Sequence, residues 1–330
     1  MTANRIKKLV VFTIVLVTGY IQSCKKNELS VFPNAIVMPD KLSAFQIFKG
    51  KSSELIPSEP FAVYELATPL YSDYSEKQRL LKLPAGKTLL AVSEGLPQFP
   101  DSTVLVKTFF YYKDKRNPAL GKNIIETRLL VKSEGQWNVG TYLWNEEQTE
   151  ATLLTTGLNK PVSWLDEKDA QQVISYHIPS NAECNTCHQA SNKIVPIGPK
   201  VRNLNRDIVR NNRQINQLQF LQEQGLLQPV DTASISKLPQ WNSTRFTLEE
   251  RARAYLDVNC AHCHSQTGFC PDARLFLDYE LSLEETRIKK RRKSLVNRLE
   301  DGEMPKLGIT VVHQEGVELV KAYVQSLPEE

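Results

Sequence analysis

The chain has 330 residues, 41% of them hydrophobic, with 41 basic and 37 acidic side chains and a net charge of +4. Such a composition excludes a disordered or fibrous chain and leaves room for more than one folded unit. Residues 1–23 carry Arg5, Lys7 and Lys8 and no acidic residue, so the remainder has a net charge of only +1; no nucleic-acid partner is expected.

Those three cations precede an apolar run from Leu9 to Val17, too short to span a bilayer stably. This is the layout of an export signal. It ends at Ile21-Gln22-Ser23-Cys24, where a small residue directly before Cys resembles the lipobox of bacterial lipoproteins. The expectation is cleavage after residue 23 and a lipid on Cys24. The protein would then be anchored in the bacterial cell envelope and face the periplasm, with inner and outer membrane both open. An uncleaved signal anchor is the alternative. Residues 24–58, rich in Ser, Lys and Pro, read as a tether.

Residues 59–165 read as a β-rich, sandwich-like domain. Short runs of β-branched and aromatic residues lie at 62–67, 79–83, 88–92, 103–112, 123–131, 136–144 and 151–155, separated by Pro, Gly and Asp/Asn turns. Trp137, Trp144, Tyr111 and Tyr142 are either core aromatics or the wall of a carbohydrate site, and β-strand composition favours the core.

From about residue 166 the pattern reads as helical, and the fold class expected overall is α+β: the β domain, then an all-α region shaped like a cytochrome c. Two strings dominate that region: Cys184-Asn185-Thr186-Cys187-His188 and Cys260-Ala261-His262-Cys263-His264. Each is Cys-x-x-Cys-His, the attachment signal for c-type haem. Two thiols three positions apart share one face of a helical turn and can form thioethers with the two vinyls of one haem. The following His gives its imidazole to the iron. Zinc ribbons space their knuckles far more closely than Cys187 and Cys260, and a thioredoxin-like motif needs a βαβ setting that neither string has. Two covalent haem c groups are therefore expected, on Cys184, Cys187, Cys260 and Cys263, with His188 and His264 as axial iron ligands.

Ser180 with Glu183, and Thr247 with Glu250, have capping-box spacing just before the two motifs. Helices are expected to start there, and another over 214–224 with Ile215, Leu218 and Leu221 on one face and Gly225 as its stop. Residues 166–244 form the first haem segment and 245–330 the second. In the second, Met304-Pro305 follows His264 by 40 residues and precedes a last helix over 316–327, so Met304 is expected as the second axial ligand. In the first, no Met follows. His177 is the nearest spare imidazole and a candidate ligand, although a hydrogen-bonded neighbour is the commoner role. A carbonyl of Ile197-Gly198-Pro199 is expected to accept the His188 Nδ1–H. His262 and His313 read as structural or exposed. Cys270 is left over once lipid and haem are assigned.

These strings, with Thr68-Pro69-Leu70-Tyr71-Ser72-Asp73, Glu126-Thr127-Arg128-Leu129-Leu130, Ile178-Pro179-Ser180 and Asn216-Gln217-Leu218, resemble a family of predicted dihaem c-type cytochromes, often lipoproteins with a β-rich N-terminal part. The last 85 or so residues resemble class I cytochrome c. The resemblance implies haem binding and electron transfer. The reading is a lipid-anchored electron carrier working between redox partner proteins, rather than an enzyme. Two alternatives stay open: a dihaem peroxidase or oxidase with an open first haem, and a cytochrome fused to a carbohydrate- or protein-docking domain. Finally, Arg287, Lys289, Lys290, Arg291, Arg292, Lys293 and Arg298 form a basic run just before Met304. It is either a solvated helix face or a dock for an acidic partner.

Overall fold

A computed structural model of the chain describes residues 36–328, so the export signal and Cys24 lie outside the described residues. The centre of the fold is one six-stranded antiparallel meander: β1 (Ala62–Val63), β2 (Glu76–Lys82), β3 (Val104–Tyr112), β4 (Lys122–Ser133), β5 (Gln136–Trp144) and β6 (Ala151–Leu154), each paired with the next. The β3 sequence VLVKTFFYY is buried almost throughout, because both faces of the sheet are covered. One face presents Leu80, Val106, Leu129 and Tyr142 to Leu42, Ile47, Leu55 and Phe61 of the preceding segment. The other presents Leu81, Leu105 and Trp137 to Ile194, Val201, Leu204, Leu218 and Leu221.

The expected fold class is corrected in two respects. The β-rich part is not a sandwich: the layers packed on the sheet are irregular chain and short helices, not a second sheet. Nor is the region beyond 166 all-α. A hairpin of β7 (Leu158–Leu165) and β8 (Gln171–Ile178) straddles the expected boundary. After α1 (Asn181–Cys187) come a two-residue hairpin, β9 (Gln189–Ala190) with β10 (Lys193–Ile194), then α2 (Val201–Leu204) and a further hairpin, β11 (Asp207–Arg210) with β12 (Arg213–Asn216). The β8 pattern has period two: Tyr176 and Ile178 are buried, whereas Val173 is 68% exposed. Gln171, Ser175 and His177 share the outward face with Val173 and carry little strand signal of their own.

α3 (Gln217–Glu223) starts three residues later than expected, because Asn216 caps it: its side chain accepts from the Leu218 and Gln219 amides. The last third does hold helices, α4 (Leu248–Asn259), α5 (Leu283–Thr286), α6 (Ile288–Glu300) and α7 (Gln314–Ser326). They share a core of Ala252, Leu256, Ile288, Leu299, Val320 and Tyr323. A Cβ on Gly316 would collide with the Tyr255 hydroxyl, so glycine is what lets α7 close on α4.

This helical part is not a free-standing cytochrome module, because residues 68–73 weld it to the rest. Thr68 N–H donates to Asn203 Oδ1 at 2.9 Å, and Tyr71 N–H to Asn259 Oδ1 at 2.7 Å. The buried Asp73 carboxylate accepts from Thr310 N–H, Thr310 Oγ1–H and Val311 N–H at 2.8–3.0 Å. Asp73→Ala would leave three donors unpaired, and hydrogen bonds to a charged group contribute about 1.5–3 kcal/mol each before relaxation. We expect a loss on the order of 3 kcal/mol, read as a lower urea midpoint. An unchanged midpoint would show that the 304–313 loop holds without the clamp.

Candidate cofactor site

The first motif is built by α1. Ser180 Oγ accepts from the Glu183 amide while Glu183 accepts from the Ser180 amide, the capping box expected from the sequence. His188 N–H donates to Cys184 O at 2.9 Å, so the helical turn runs through the motif and keeps Cys184, Cys187 and His188 on one side. The Cys184 sulfur lies 3.7 Å from Thr141 Oγ1 of β5. His188 Nδ1–H donates to Val195 O at 2.7 Å, leaving the Nε2 lone pair free. The acceptor is thus two residues before the Ile197–Pro199 loop. The β9–β10 hairpin returns the chain over the motif, and Val195 N–H in turn donates to His188 O at 2.7 Å.

The second motif hangs from the end of α4, whose start is the expected box of Thr247 and Glu250. Cys260 N–H donates to Leu256 O and His264 N–H to Cys260 O, both at 2.9 Å, so this motif is also one continued turn. Met304 N–H donates to Arg298 O at 3.0 Å, and the side chain packs on the α4–α7 core. The two motif loops touch directly: Ser191 N–H donates to Thr267 O at 2.9 Å.

Both motifs open on one cavity, with about 1380 Å³ of non-atom space. Cys184, Cys187, His188, Cys260, His262 and Met304 line it; Cys263 and His264 do not. Burial pushes the Cys187 thiol up to about 11 and those of Cys260 and Cys263 up to about 12. Burial, then the charge on Lys107, holds His188 down to about 3, and burial with neighbouring charge holds His262 to about 4. The cavity therefore offers neutral thiols, neutral imidazoles and a thioether.

These donors do not converge as a tetrahedral metal site requires. Among the described residues, the one trio of His, Cys, Asp or Glu ligand atoms within 4.8 Å of one another is Asp257, Asp278 and Glu280. That trio already has cations: Lys200 Nζ is 2.7 Å from Asp257, and Arg202 pairs with Glu280.

The remaining candidates separate clearly. His177 lies outside the cavity wall. Its Nδ1 is 2.7 Å from Asn159 Oδ1 and its Nε2 is 2.9 Å from Glu183 Oε1, the neighbour role rather than the ligand role. Trp137, Trp144, Tyr111 and Tyr142 are buried, so they are core and not a sugar platform. His313 does line the cavity, stacked on Tyr71 with ring centroids 4.1 Å apart and 3.0 Å from the Tyr255 hydroxyl. Cys270 is buried and disulfide-bonded, so it is not a spare thiol. Sequence reasoning missed Lys107 and Arg128, which also line the cavity. Each reads as the solvent-facing residue of a half-buried strand; only the cross-strand register Arg79–Lys107–Arg128–Thr141 gathers them into one inward row.

Fold and site together define a mixed chain, one antiparallel sheet with helices and hairpins closed over it, that gathers two Cys-x-x-Cys-His motifs around a common cavity. Comparison with family models, with curated proteins and with solved structures finds no match.

Proposed function

We propose that this chain is a dihaem c-type cytochrome that carries electrons between redox partners at the cell envelope. The observation that carries the reading is the shared cavity, on which both motifs open with neutral thiols and with an imidazole whose tautomer the Val195 carbonyl fixes. The donor set suits haem c. Cys184 and Cys187 would hold one ring and Cys260 and Cys263 the other, with His188 and His264 beneath the irons and Met304 opposite His264. Haem supplies the redox couple; the chain supplies attachment, orientation and a dry, apolar wall. The bond between Ser191 and Thr267 keeps the two attachment turns adjacent, as a relay needs. Purified protein should give a pyridine haemochrome equivalent to two haem c per chain. A value of zero, or bound zinc in its place, would overturn the reading.

The envelope location and lipid anchor rest on the N-terminal sequence. In that location the partners are proteins and the membrane surface, with no role for nucleic acid.

α6 is the proposed docking element. Ile288, Leu295 and Leu299 face the core. Of the seven basic residues in the run, Arg298 alone has an ion pair among the described residues, with Glu303 at 2.8 Å. Lys289, Lys290, Arg291 and Arg292 crowd the helix start, where the dipole disfavours each cation by about 0.3–1 kcal/mol. Folding gains nothing from that placement, and α6 leads directly into the Met304 loop. Charge reversal at Lys290, Arg291 and Arg292 should slow electron transfer with an acidic partner roughly tenfold or more at low salt. The gap should close as salt screens the charges. Equal rates at low salt would leave the run as a solubilising face.

A further inference from the structure

Met304 stands with the second motif, which leaves the first haem in need of a sixth ligand. His177 spends both ring nitrogens on Asn159 and Glu183, and His313 is wedged against Tyr71 and Tyr255. The nitrogen side chains left on the cavity wall are Lys107, Arg128 and His262. Arg128 is bonded to Glu126 through two nitrogens, and a guanidinium has no lone pair to give.

Resting on the haem reading above, we propose that Lys107 is the sixth ligand of the first haem iron, through the lone pair of its Nζ. The cross-strand row places it. Thr141 touches the Cys184 sulfur, Arg128 lies one strand over and Lys107 two. Strands are about 4.8 Å apart, so the Lys107 backbone starts roughly 10 Å from Thr141. Its four-carbon stem lines the same cavity as Cys184, Cys187 and His188, within reach of a ring tethered there.

The alternative for a cavity cation is a haem propionate. Propionates hang from the edge opposite the vinyls, and the contact between Thr141 and Cys184 puts the Thr141 end of this row at the vinyl edge. Lys107 also has Arg79 and Arg128 as its row neighbours, and its Nζ forms no hydrogen bond or ion pair among the described residues. An ammonium held between two guanidinium groups is costly; an amine bound to iron carries no charge. His262 is the competing donor. Its buried Nδ1 has no partner, but it stands between Cys260 and Cys263, in the attachment turn of the second haem.

The test uses the full chain with haem attached. Wild-type ferric protein should show two low-spin irons by spin-counted paramagnetic resonance. Lys107→Ala should keep two haems but convert one of the two irons to high spin, and added imidazole should restore low spin. His262→Ala should leave both low-spin. Near-infrared magnetic circular dichroism of the unaltered protein provides a check independent of any variant, since amine, imidazole and thioether ligation give separate charge-transfer bands. Two low-spin irons in Lys107→Ala, high spin in His262→Ala instead, or an iron already high-spin in the wild type would each overturn the assignment. A haem count below two in the wild type would instead overturn the haem reading itself.

Discussion

Replacing Cys187 and Cys263 together with Ser should strip the chain of firmly bound haem. On the haem reading, each motif would hold its ring through two thioethers and one axial imidazole, and the double variant would lose one thioether per ring. Both motifs open on the same cavity, whose wall is mostly apolar, so an absent ring would leave that space unfilled. Cavities of that kind destabilise by about 24 cal/mol per Å³ that fails to collapse. Loss of covalent haem and loss of stability should therefore appear together. Haem stain on denatured protein measures the first, and the denaturant midpoint the second. Each single variant should keep half the stain. Full stain in the double variant would mean that Cys184 and Cys260 alone suffice for covalent attachment.

The second large effect is expected at Met304. Its backbone is pinned to Arg298 O, and its side chain reaches the cavity from the loop between α6 and α7. His/Met ligation raises a haem potential above His/His ligation. Met304→Ala should therefore lower one of two midpoint potentials, abolish the weak far-red band of methionine-ligated ferric haem and leave the second potential nearly unchanged. A redox titration with optical readout checks all three. If both potentials and the band persist, Met304 is an ordinary core side chain. The haem count should stay at two in this variant, because attachment does not pass through Met304.

What was legible in the sequence was local. Ser180 with Glu183 and Thr247 with Glu250 announce helix starts over three residues, and both boxes form. The stripe of Val317, Val320, Tyr323 and Val324 likewise predicts the buried face of α7. What was not legible depends on pairing across long gaps. Leu89 and Leu90 look like strand, yet they form only isolated bridges, to Leu227 and Gln98. The β8 strand is hidden because Val173 on its outward face and Gln172 on its inward face blur the period-two alternation. Lys107 looks like a surface lysine until the register sets it beside Arg79 and Arg128. The string Thr68–Asp73 marked a resemblance without disclosing a role; the structure gives it one, the weld between the sheet and the helices.

That weld bears on how the molecule is made. Asp73 and Thr310 are 237 residues apart in sequence. A chain emerging N-terminus first has its sheet available long before the 304–313 loop arrives to close the wall. Contacts of such long range form late and slowly. On the haem reading, both motif turns would stand open to their surroundings in that interval, and a rigid planar guest could be loaded edge-on without any doorway in the finished protein. Maturation then becomes a race between loading and closure, and a mutation that hastens closure would lower the yield of loaded protein while making the empty shell more stable.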